Sequence, residues 1–224
     1  MSLELIYFSS YLQLFGSFLI AALGLLYFSK RDKTILIIAF YGLNSCVFQI
    51  ANSFSPRIGN YIVNNIVANV YTFTEAFILL YFFFTLFPAV WSKKLTIVFG
   101  ILYTILYFVL IRDHWQEAIG SIRMLRDLLM IVCSLFYFYF LISNLPTTQI
   151  TRYPMFWIVA AFIFFFSGTF VLSLSTDYLH HVLKNDFSYL WPARNFFRFF
   201  FCLVVSYGLL LDLREVKMKQ PAQR

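Results

Sequence analysis

Charge is scarce in this sequence. Asp, Glu, Lys and Arg make up 12% of its 224 residues, where a soluble domain carries about 25%. Too few charged groups remain to cover a water-facing surface. Histidine is scarcer still, with His114, His180 and His181 all lying between the long apolar runs. An intramembrane zinc hydrolase needs several ligands inside its spans, so that chemistry is not expected. Lysine is also missing from the interior of the runs: 30, 33, 93, 94, 184, 217 and 219 fall in loops, ends or the tail. That removes the buried Schiff-base lysine on which a retinal protein depends. The three cysteines, Cys46, Cys133 and Cys202, are odd in number and lack C-x-x-C spacing, which argues against a disulfide framework or a zinc site. They read as small apolar packing residues. Glycine-rich phosphate loops are absent. Ser167-Gly168-Thr169 has the serine and glycine of an intramembrane protease, yet no histidine within the spans to act as its base. Small residues there read as a close helix contact. No catalytic residue, cofactor or metal is expected.

What is present is apolar. Hydrophobic residues make up 61% and the mean hydropathy is +0.78. A helix crosses the hydrocarbon with roughly 20 mostly apolar residues, and seven stretches qualify: about 5–28, 34–54, 61–87, 94–112, 121–144, 154–176 and 190–212. The expected fold class is all-α, a seven-transmembrane-helix bundle over residues 1–213 with a basic tail at 214–224. A net charge of +7 suggests nucleic acid in a soluble protein. Here its placement matters more. Lys30, Arg31, Lys33, Lys93, Lys94, Arg152, Arg214, Lys217, Lys219 and Arg224 all fall on one side of such a bundle. Basic residues in short loops stay cytoplasmic, so the N-terminus is expected outside and the C-terminus in the cytoplasm. The first run lacks a basic n-region and is followed at once by Ser29-Lys30-Arg31-Asp32-Lys33, which reads as a retained span rather than a cleaved leader. The expected location is the cytoplasmic (inner) membrane, crossed several times. The lipid bilayer is the expected surrounding and nucleic acid is not an expected partner. Tyr7, Tyr11, Tyr189 and Trp191 fit an outer interfacial belt; Tyr27, Trp91, Tyr153 and Trp157 fit an inner one. The remaining phenylalanines, among 30 in all, read as lipid-facing bulk.

Polar groups inside spans are costly and usually face the bundle interior. In the third span Tyr61, Asn64, Asn65, Asn69, Tyr71, Thr72 and Glu75 share an arc of roughly 160° at helical spacing. Glu75 lies 14 residues past Tyr61, which is roughly 21 Å along the axis and close to mid-membrane. The second span places Tyr41, Asn44, Ser45, Gln49 and Asn52 on one face. The seventh carries Arg194, Asn195 and Arg198, its arginines four apart and needing anionic company. The fifth begins with Arg123, Arg126 and Asp127. These residues gather in the outer half; 76–84, 95–102 and 155–166 hold no charge or carboxamide. The expected site is an outward-opening polar cavity, with Glu75 and Asp127 as partners of Arg198 and Arg194, and with Asn69, Asn65 and Gln49 as further ligand contacts. The simpler reading is interhelical hydrogen bonding alone, worth about 0.6 kcal/mol per contact. An ionised pair at depth is a poor route to stability, which favours function for Glu75 and Arg198. His180-His181 beside Asp177 reads as a solvated loop pair.

Three stretches carry a likeness: ANVYTFTEAFILLYFF (68–83), MIVCSLFYFYFLI (130–142) and YPMFWIVAAFIFFFSGTFVL (153–172). Through Asn69, Tyr71 and Glu75, through Ser134, Leu135, Tyr137 and Phe138, and through Phe156, Trp157, Ser167 and Gly168, the chain resembles uncharacterised seven-helix integral membrane proteins of Bacteroidota. The resemblance implies the pattern of spans and adds weight to Glu75; it implies no catalytic residues.

The functional expectation is a sensor or receptor module signalling to a separate partner protein, because the chain has no output domain. The alternative is a small transporter with Glu75 as its ion- or proton-coupling carboxylate. A lipid-modifying enzyme ranks last, since the spans lack a nucleophile–base pair.

Overall fold

The computed structural model describes residues 3–58, 61–112, 120–144, 150–178 and 190–219. Within them lie seven α-helices: α1 (Leu3–Leu25), α2 (Lys33–Ile58), α3 (Tyr61–Leu86), α4 (Val90–Ile111), α5 (Gly120–Asn144), α6 (Pro154–Tyr178) and α7 (Leu190–Lys219). All seven are long and apolar enough to cross a membrane. Two short 3-10 turns, Phe28–Lys30 and Ile150–Arg152, precede α2 and α6.

Where the bounds differ from the expectation, local chemistry accounts for it. α1 ends at Leu25 because Tyr27 takes a left-handed conformation, φ 59°, which stops the helix as a glycine would. α4 begins at Val90, two residues after Pro88 with Ala89 as its N-cap, so Lys93 and Lys94 lie in its first turns rather than before it. α6 starts on Pro154, whose missing N–H is no loss at the first helical position. α7 runs on through Arg214 and Lys217 to Lys219. Most of the expected tail is therefore helix, since its Arg, Glu, Lys and Met residues are good helix formers.

α1 packs on α2 and α7, α2 on α3, α5 on α6, and α6 on α7, while α3 touches α5 and closes a ring. α4 lies against the outside of the α3–α5 contact and buries only Ser92, Thr96, Tyr103 and Tyr107. Small residues set the tightest approaches. A Cβ on Gly42 would stand 2.8 Å from the backbone nitrogen of Ala21, and one on Gly24 would stand 2.6 Å from Ala39 Cβ. Backbones this close let α1 and α2 join through a Ser17–Ser45 hydroxyl pair at 2.9 Å. Gly168 is covered by the Phe197 ring, so the Ser-Gly-Thr segment of α6 is a packing contact. The three cysteines are free thiols; Cys133 and Cys202 are buried.

The phenylalanines divide, correcting the expectation that they mainly face lipid. Phe8, Phe18 and Phe108 are exposed, but Phe82, Phe83, Phe162, Phe166 and Phe201 are fully buried. Phe162 stacks on Phe201 at 5.5 Å and meets the edges of Phe82 and Tyr41. This aromatic layer fills the ring because six helices around an axis leave more space than aliphatic side chains occupy. Beyond it, Arg31 closes one end of the bundle. Its Nη2 and Nε donate to the carbonyls of Leu23 (2.9 Å) and Leu26 (3.1 Å), satisfying groups that a helix C-terminus leaves open. Its Nη1 pairs with Asp212 of α7.

Candidate functional site

Glu75 sits on the inward face of α3 and is fully buried. Its Oε1 accepts three donors: Tyr71 Oη, one turn earlier on α3, at 2.8 Å; Tyr41 Oη of α2 at 3.0 Å; and Arg198 Nη1 of α7 at 2.8 Å. Its Oε2 accepts Arg126 Nη1 of α5. Four donors from four helices saturate the carboxylate.

The two arginines extend the cluster in opposite directions. Arg198 Nη2 donates to Ser45 Oγ at 3.1 Å and to Tyr71 Oη, and Ser45 passes the chain on to Ser17 of α1. The rings of Tyr41, Tyr71 and Phe165 surround this guanidinium at 5.2–5.5 Å, a distance at which their faces attract a cation. Arg126 lies 5.6 Å from the Phe166 ring, and its Nε donates to Asp127 Oδ1 at 2.9 Å. One hydrogen-bonded chain thus joins α1, α2, α3, α5 and α7, with α6 supplying aromatic faces. Glu75, Asp127, Arg126 and Arg198 balance in formal charge and are at most 6% exposed. That balance is what makes their burial tolerable, since an uncompensated charge there costs several kcal/mol.

Glu75 and Arg198 meet as the sequence suggests. Glu75 lies 14 residues into α3 and Arg198 eight into α7, so the two helix starts are offset along the bundle and the long arginine side chain spans what remains. Asp127 makes its ion pair with Arg126, its own neighbour, and interacts with Arg194 of α7 through charge alone. Arg194 instead donates to Ser173 of α6 at 2.6 Å. Asn69 is buried, and Asn65 and Gln49 are half-buried. Both asparagines lie on the N-terminal side of Glu75. Asn195 joins α7 to α1 through Ser9 (3.1 Å) and Ser10 (3.3 Å). The side chain of Asn64, along with His114, His180 and His181, lies outside the described residues.

Arg126 is the central residue that span-by-span reading leaves unassigned. A signal for it exists. The buried stripe of α5 runs Ile122, Arg126, Met130, Cys133, Tyr137 and Leu141, a helical period that passes through the arginine.

Two polar atoms of the cluster, Asp127 Oδ2 and Arg198 Nε, are buried without a hydrogen-bond partner among the described residues. The network therefore keeps one spare acceptor and one spare donor. Among the described residues no three His, Cys, Asp or Glu side chains gather as a metal site. What the arrangement can do is hold several helices in one packing and respond when a charge is added or withdrawn. A comparison with known proteins finds no matching family model, curated protein or solved structure.

Proposed function

We propose that the chain is a membrane sensor, with its N-terminus outside and its C-terminus in the cytoplasm, in which the Glu75 cluster is the element that changes state. An external ligand, ion or lipid headgroup acts on the polar groups above Glu75, among them Asn65, Asn69, Gln49 and Arg194, and alters how α3, α5 and α7 pack. A separate partner protein reads the change at the opposite end. The supporting observation is that one carboxylate joins guanidiniums from two other helices and hydroxyls from α2 and α3. A buried charge network is a weak device for stability alone, whereas an element with two discrete packings is what a switch requires. The unused Asp127 Oδ2 and Arg198 Nε are the groups a second arrangement would engage. In the present packing Glu75 is saturated by protein donors, so a ligand acts on it by displacing one of them. The exposed basic residues Lys30, Lys33, Lys94, Arg152, Arg214 and Lys217 support the orientation and supply a cationic face for the partner.

The test uses spin labels at Tyr81→Cys on α3 and Leu210→Cys on α7, both exposed positions, in a chain without its native cysteines. Glu75→Gln is expected to shift or broaden the α3–α7 distance distribution. An unchanged distribution in a folded Glu75→Gln chain would sink the switch. Ion or solute uptake into liposomes that depends on Glu75 would replace the sensor by a transporter.

A further inference from the structure

Among the described residues, no carboxylate lies within ion-pair distance of Arg194. Four charged groups act on it across longer distances: Asp127, Arg126, Glu75 and Arg198. Two are anions and two are cations, so their formal charges cancel and the positive charge of Arg194 is left over. Asp127 reaches it through charge alone, and the Oδ1 of that residue is committed to Arg126. The bonded partner of Arg194 is neutral, the Ser173 hydroxyl of α6 at 2.6 Å from Nη2. A guanidinium carries five N–H donors, and this bond uses one. Arg194 is half-buried and lies one turn nearer the start of α7 than the buried Arg198.

Ser173 supplies an independent observation. It is 2% exposed, yet its hydroxyl proton has no acceptor among the described residues. The other α6 hydroxyls at Ser167, Thr169 and Ser175 each donate to the carbonyl four residues back, the ordinary outlet for a hydroxyl within a helix. Ser173 makes no such bond, and its oxygen accepts from Arg194 instead. Side by side, α6 and α7 thus present an uncommitted O–H and several uncommitted N–H groups around one unmatched positive charge.

Resting on the sensor reading of this site, we propose that Arg194 and Ser173 hold the carboxylate of a small soluble ligand. A planar guanidinium meets a carboxylate with two parallel N–H···O bonds, and the Ser173 O–H adds a third donor. One unmatched positive charge calls for one negative charge. A dianion would overshoot it and be repelled by Asp127, and a cation would be repelled by Arg194 itself.

The full chain in phosphatidylcholine nanodiscs, whose lipid carries no carboxylate, is titrated with acetate and followed by saturation transfer from protein to the acetate methyl. Acetate is expected to receive saturation and methylammonium to receive none. Chloride should compete at least about ten-fold more weakly than acetate, and Arg194→Gln should weaken acetate by a similar factor, the scale of one hydrogen bond to a charged group. Arg194→Lys keeps the charge without the fork and should lose the preference for acetate over chloride. Ser173→Ala should also weaken acetate and serves if Arg194→Gln fails to fold, whereas Ser175→Ala should leave binding unchanged. Absence of transfer to acetate overturns the proposal. So does chloride competing as well as acetate, or acetate binding that survives Arg194→Gln or Ser173→Ala. The sensor reading fails separately: acetate bound through Arg194 while α3–α7 distances ignore Glu75→Gln would leave the site and remove the switch.

Discussion

Glu75 and Arg198 stand 123 positions apart in the chain, yet their side chains meet at 2.8 Å in the interior of the bundle. The same carboxylate is bound from its other side by Arg126. Neutralising it leaves two guanidiniums facing each other without their shared anion. Glu75→Gln is expected to destabilise the folded bundle by about 3–5 kcal/mol, the range for breaking a buried pair. Denaturation in detergent or steric trapping in bilayers measures this. A change of a few tenths would show that the carboxylate is not ionised within the network.

Arg126 and Asp127 should not be equivalent. Arg126→Gln strands two carboxylates, since the arginine serves both Glu75 and Asp127. Asp127→Asn leaves Arg126 with Glu75. The arginine variant is expected to be the less stable by at least about 1.5 kcal/mol, the lower range for a hydrogen bond to a charged group. The reverse order would mean that Asp127 carries the network.

Two glycines should behave oppositely when changed to alanine. Gly42→Ala places a methyl 2.8 Å from the Ala21 backbone nitrogen. It should separate α1 from α2 at a cost of about 1–3 kcal/mol, and weaken the Ser17–Ser45 link with them. Gly100→Ala meets only Leu80 Cδ1 at 3.7 Å. It should be neutral or stabilise by up to about 1 kcal/mol through helix propensity. Thermal midpoints of the two variants, compared side by side, settle the contrast.

Loss of the Arg31 contacts should loosen one end of the bundle. Arg31→Ala removes donors from the Leu23 and Leu26 carbonyls and leaves Asp212 unpaired. A loss of about 1.5–3 kcal/mol is expected, with faster hydrogen exchange in the last turn of α1. Exchange unchanged there would show that solvent can replace the cap.

The orientation has a direct check. A Lys217→Cys chain lacking native cysteines should resist an impermeant maleimide added outside intact cells and react once they are permeabilised. Prompt labelling of intact cells would invert the topology.

The spans were legible because hydropathy and length report the bilayer directly. Glu75 was legible for the same reason in reverse, as a carboxylate halfway along an apolar helix with Asn69 and Tyr71 on its face. Pairing was not. Which arginine reaches which carboxylate depends on where each helix begins relative to its neighbours, and hydropathy fixes that only to within a turn or two. Arg126 therefore went unassigned, and its ion pair with Asp127 was not foreseen. Phe162 and Phe201 were misread because a phenylalanine facing lipid and one facing another phenylalanine look alike in a run that is apolar all round. The end of α7 was not legible because a change in charge at Arg214 marks the edge of the hydrocarbon, not the end of a helix.

The closure of the ring carries a consequence for how the protein is made. Glu75 is synthesised 51 residues before Arg126 and 123 before Arg198. On leaving the ribosome, the third span enters the membrane with a carboxyl group whose cationic partners do not yet exist. Protonation in transit, or shelter by the insertion machinery, covers the interval until α5 and then α7 arrive. A nascent chain halted before α5 should therefore be a substrate for membrane proteolysis, whereas one halted after α7 should not.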